Sequence, residues 1–117
     1  MTFIAPENTD LLLSEAQKEQ LYSKLVEQVN KDFTLANESV DFNSNVTPIT
    51  LKLGVQDKVY SLIQYKFAEY LNLLYIIDVP EKDIKSLNGS DLAELAEQVT
   101  FLILKREWQK VWFRNRY

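Results

Sequence analysis

Val59-Tyr60-Ser61-Leu62-Ile63-Gln64-Tyr65-Lys66-Phe67-Ala68-Glu69-Tyr70-Leu71-Asn72-Leu73-Leu74-Tyr75-Ile76-Ile77 is the stretch that decides the fold class. Val59, Ile63, Phe67, Tyr70, Leu74 and Ile77 follow one another at steps of three or four, the spacing of one face of an α-helix. The spacing predicts a helix from Gln56 to about Asp78. Tyr65, Tyr75 and Ile76 lie off that face, and a helix that is oily on more than one side is buried between neighbours or shared with another subunit.

Downstream, Pro80 ends this helix or opens a short turn from Glu81 to Leu87, and Asn88-Gly89 makes a break. Ser90-Asp91 then caps a last helix that runs towards the C-terminus, roughly 40 Å at about 1.5 Å per residue. Leu92, Leu95, Ala96, Val99, Leu102 and Ile103 form its early apolar stripe, continued by Phe101, Leu104, Trp108, Val111 and Trp112.

Upstream, Ser14-Glu15-Ala16-Gln17 matches a capping box. With Tyr22, Val26, Val29, Phe33 and Ala36 behind it, the pattern predicts one helix from Ser14 to Ala36, preceded by an N-terminal arm over residues 1–13. Residues 37–47 are polar and aperiodic, a surface loop. Ile49 to Val55 is ambiguous. Thr47-Pro48 suits a helix start, yet Ile49, Leu51, Leu53 and Val55 alternate as in a strand.

The fold expected is therefore all-α, a three- to four-helix bundle with a long C-terminal helix, in one domain spanning 1–117. The alternative is α+β with a short two-stranded element around 49–53, paired with Leu73 to Val79. A two-stranded sheet is marginal on its own, which favours the bundle.

The chain has 117 residues, 46% hydrophobic and 26% charged, with a net charge of −4, two glycines and three prolines. Cysteine and histidine are absent. That excludes disulfides, thiolate nucleophiles, zinc fingers, Ser-His-Asp triads and imidazole metal ligands. No run approaches the roughly 20 apolar residues of a bilayer crossing. Met1 to Glu7 lacks the pattern of a secretory signal, so a cytoplasmic protein is expected.

Charge is distributed unevenly. Lys105 to Tyr117 holds five basic residues and one acid, a local +4 against −8 elsewhere. Trp108, Trp112, Phe113 and Tyr117 are interleaved with those cations, a composition used to bind single-stranded nucleic acid or an anionic membrane surface. A net-negative chain suits a polyanion poorly, however, and cations at a helix C-terminus also answer the helix dipole.

Phe113 and Tyr117 fall opposite the apolar stripe, among Arg106, Lys110 and Arg114, and aromatics with arginines favour protein interfaces. The expected function is a non-catalytic interaction or assembly module that self-associates as a homodimer, with Arg106, Lys110, Phe113, Arg114 and Tyr117 as its contact surface. Another protein partner would fit the same surface. Nucleic-acid binding through the C-terminal helix is the alternative. A third reading places a small-molecule pocket among Tyr65, Phe67, Tyr70 and Trp108.

No cofactor and no metal are expected. Asp41 to Thr47 starts like a calcium loop, but Val46 stands where glycine is needed and Lys52 where a bidentate glutamate is needed. The acids Glu81/Asp83 and Asp91/Glu94/Glu97 fall in helix first turns rather than in a cleft, so no catalytic residue is assigned.

Overall fold

In the computed structural model, which describes residues 2–116, the first helix is opened by Asn8, whose Oδ1 accepts the Leu11 N–H at 2.9 Å. Helix α1 runs over Thr9–Lys18, so it begins inside the expected arm and Ser14 lies in its interior. The single helix expected from Ser14 to Ala36 is two helices. Gln20 takes a left-handed φ of 60°. Its N–H then reaches the Gln17 carbonyl and the Leu21 N–H reaches the Ala16 carbonyl, a Schellman ending that uses up two terminal acceptors. Leu21 is buried and anchors the turn.

Helix α2, Tyr22–Leu35, buries Leu25, Val26, Val29 and Phe33. It ends in the same way at Asn37, with φ 65°. The polar loop that follows is bound to its surroundings. Asn30 clamps the Phe42 backbone through bonds of 2.8 and 2.9 Å, and the Tyr22 hydroxyl donates to the Val46 carbonyl at 2.6 Å.

The ambiguous stretch is helical. Helix α3, Pro48–Tyr65, starts from Thr47, whose Oγ1 accepts the Thr50 N–H, with Pro48 in the first turn where no N–H is needed. The strand alternative fails: no strand occurs among the described residues. Gly54 is there because Phe42 lies against it. A Cβ at 54 would come within 2.6 Å of the Phe42 ring. Alanine in mid-helix gains about 1 kcal/mol over glycine, whereas overpacking costs about 1–3 kcal/mol. We therefore expect Gly54→Ala to destabilise the parent and to stabilise a Phe42→Ala background; chemical denaturation of the four proteins measures that change of sign.

The predicted helix from Gln56 to Asp78 is interrupted at Lys66, whose φ of −142° and ψ of 64° leave the helical region. Helix α4, Phe67–Ile77, continues in a new direction and buries Tyr70, Leu73, Leu74 and Ile77. It ends on Asp78 at φ 70°, the third left-handed ending on a residue other than glycine. Helix α5, Glu81–Lys85, is a short turn after Pro80.

Helix α6, Leu92–Arg114, is opened by Asp91 Oδ1, which accepts the Glu94 N–H at 2.8 Å, while Glu94 Oε2 accepts from Ser90. All five other helices touch α6. It therefore buries residues around most of its circumference, from Ala96 to Trp112. The architecture is an all-α bundle wrapped round its last helix. Its radius of gyration, 13.4 Å, matches the roughly 13 Å expected for a compact chain of this length.

Candidate interaction surface and the buried acid cluster

The basic tract of α6 is largely answered from inside the molecule. Arg106 donates to the Asp78 carbonyl and to Asp78 Oδ2, both at 3.0 Å, and so closes the exposed end of α4. Lys105 lies 3.9 Å from Asp83 and over the Phe101 ring. Arg116 pairs with Glu19 and covers the Trp112 ring at 4.4 Å. Lys110 turns towards α2, and Arg114 donates to Gln28 Oε1 at 2.9 Å.

Of the five expected contact residues, Arg106 thus reaches α4, while Lys110 and Arg114 reach α2. Phe113 is 37% exposed and belongs to a ring cluster with Phe3 and Trp112, at centroid separations of 6.1 and 5.1 Å. Tyr117 lies outside the described residues. The N-terminal arm is accordingly part of the surface round Phe113, a contribution that the sequence pattern does not announce.

A second cluster had no place in the sequence reading. Glu107 is 0% exposed, and among the described residues neither carboxyl oxygen finds a hydrogen-bond donor. Asp32 of α2 is buried beside it. Lys110 Nζ sits 2.6 Å from Asp32 Oδ2 and 3.3 Å from Glu107 Oε1, and Gln28 Nε2 donates to Asp32 Oδ2 at 3.1 Å.

Two carboxyl groups facing one ammonium in a dry site cannot both ionise cheaply. Burial and the neighbouring Asp32 push Glu107 up to about 9, although Lys110 pulls the other way. Burial also raises Asp32, but the neighbouring Glu107 carboxyl, with Lys110 and Gln28 hydrogen-bonded to Asp32, outweighs that and holds it below its ordinary value. At neutral pH the arrangement is one carboxylate, one ammonium and one carboxylic acid aimed at the carboxylate. Its net charge is zero, which is how the interior tolerates it.

The exposed apolar surface lies elsewhere. Among the described residues, seven of the eleven large exposed apolar side chains belong to α3 or α4: Ile49, Leu53, Tyr60, Tyr65, Phe67, Leu71 and Tyr75. At about 100° per residue, Ile49, Leu53 and Tyr60 fall within roughly 40° of one another, well away from the buried Leu51, Val55, Val59 and Leu62. Phe67, Leu71 and Tyr75 follow at intervals of four along α4, and Tyr75 is 80% exposed. Phe67, placed by the sequence pattern on the buried stripe, is more than half exposed because the break at Lys66 turns it outward.

The four rings considered for a small-molecule pocket are separated. Trp108 is fully buried and Tyr70 nearly so, whereas Tyr65 and Phe67 face solvent. In the Asp41 to Thr47 loop, Asn43 Oδ1 accepts the Asn45 N–H and so closes a local turn. Among the described residues no three His, Cys, Asp or Glu side chains are grouped to hold a metal ion, and no helix is long and apolar enough to cross a membrane. No protein family, curated protein or solved structure matches this chain.

Proposed function

We propose that the protein is a non-catalytic assembly module that associates with a second copy of itself through the outer faces of α3 and α4. The observation behind this reading is the concentration of exposed tyrosine, phenylalanine and leucine on those two helices. Aromatics at the centre of a patch are the residues that favour protein interfaces. The whole accessible surface, 6825 Å², is close to the roughly 6,600 Å² expected for a monomer of 13.7 kDa. What favours association is where the apolar atoms lie, not an excess of total area. Helix α6 conceals most of its apolar side chains, so the contact surface moves from the C-terminal tract to α3 and α4.

Nucleic-acid binding has less support. Lys105, Arg106, Lys110 and Arg116 each face an acid of the same chain, which reduces the charge left for phosphates.

The two surfaces separate by mutation. Leu71→Asp with Tyr75→Asp places like charges in the proposed contact, and we expect size exclusion with light scattering to show a monomer where the parent is a dimer. Phe113→Asp is expected to leave the dimer intact. Loss of the dimer in Phe113→Asp alone would return the contact to the C-terminal tract.

A further inference from the structure

Helices α2 and α6 leave a polar groove of about 170 Å³, lined by Lys24, Glu27, Gln28 and Lys31 from the first and by Arg114 and Asn115 from the second. Lys24, Gln28 and Lys31, spaced four and three apart, share one face of α2. Gln28 is the built part of the groove. It is 4% exposed, its Oε1 accepts Arg114 Nη1–H at 2.9 Å and its Nε2 donates to Asp32 at 3.1 Å. That chain holds the Arg114 guanidinium in place, and among the described residues its other N–H groups have no hydrogen-bond partner.

Among the described residues no acid pairs with Lys24 or Lys31, in contrast to the neighbouring Lys110. Glu27 is the one acid among the lining residues. In a chain of net charge −4, the groove therefore gathers three cations against one carboxylate. The C-terminal end of α6 adds roughly half a negative charge, too little to offset the two lysines. At about 30 Å³ per water, the groove has room for five or six water molecules. Pockets for organic ligands start near 300 Å³. A single tetrahedral anion fits these dimensions.

We propose that the α2–α6 groove is a binding site for a small tetrahedral oxyanion of the phosphate or sulfate class, held between Lys24, Lys31 and Arg114. The site is independent of the association through α3 and α4. Charge-assisted hydrogen bonds from two side-chain types supply the contact, the guanidinium giving direction and the lysines giving charge.

The test is an NMR titration of the labelled protein with sodium phosphate, against sodium chloride at matched ionic strength. Phosphate is expected to give saturable amide shifts at Lys24, Gln28, Lys31 and Arg114 that chloride does not give. The double variant Lys24→Gln, Lys31→Gln touches no internal partner, so its melting temperature in chloride should equal the parent's while its phosphate affinity falls at least tenfold. Glycerol phosphate that produces the same shifts marks a phosphomonoester end group as a ligand; if only inorganic phosphate produces them, the free ion is the ligand. An identical response to chloride, or unchanged affinity in the double variant, overturns the site. So does a response confined to single-stranded DNA and spread along the whole of α6.

Discussion

Replacing Glu107 by glutamine raises the stability of the fold by roughly 3 kcal/mol at pH 7. The folded chain keeps a proton on this carboxyl up to about pH 9, whereas the unfolded chain releases it near 4.5. Between those values the native state binds the extra proton, so each unit of pH costs about 1.4 kcal/mol of stability. Stability from this group is therefore present in full below about 4.5, is lost as pH rises, and falls no further above about 9. Glutamine has nearly the same shape, carries an N–H donor towards Asp32, and has no proton to lose. Urea denaturation at pH 5, 7 and 9 reads the difference: a falling series for the parent and a flatter one for Glu107→Gln. Parallel series would show that Glu107 is ionised in the fold and that the cluster is misread. Asp32, held below its ordinary value, acts in the opposite sense, adding stability above about pH 4 that is lost on acidification.

Lys110→Met is expected to cost roughly 3–5 kcal/mol, the range for removing one partner of a buried ion pair. The cost arises from what is left behind rather than from the pair itself. Asp32, only 4% exposed, would retain its charge with the Gln28 amide and the Glu107 proton as its remaining donors. Asp32→Asn in the Lys110→Met background removes that stranded charge, so the double variant should lose much less than the sum of the single losses. Non-coupled sites add to within about 0.5 kcal/mol. Additivity at that level would mean that Lys110 and Asp32 do not act as a pair in solution.

The features legible in the sequence are those with a local chemical cause. Ser90-Asp91 before a long apolar stripe announces α6, whereas Thr47-Pro48 suits the start of α3 but competes with the strand-like alternation behind it; both caps form. The helix ends are harder to read. Gln20, Asn37 and Asp78 all adopt left-handed backbone without glycine, because buried neighbours such as Leu21 and Val79 hold the turn in place. Lys66 interrupts a continuous helical period with no proline or glycine to mark it, and tertiary packing outweighs a weak local preference there.

The acid cluster left one signal that composition conceals. Val99, Ile103, Glu107 and Val111 form a single row at intervals of four, so Glu107 occupies a core position. Reading it only as the one acid in a basic tract hides that placement. The surplus apolar surface was visible in the oily segment from Val59 to Ile77, but its owner was not. Only the packing of five helices around α6 shows that the last helix hides its stripe, while α3 and α4 bury one row each and leave Leu53, Leu71 and Tyr75 in solvent.

Association through α3 and α4 is the claim on which the functional account turns, and sedimentation equilibrium of the unmodified chain over a concentration range of about a hundredfold tests it without any variant. A chain that self-associates in this way gives a weight-average mass that climbs from 13.7 kDa towards twice that value as concentration increases. A mass that stays at 13.7 kDa across the whole range would contradict it.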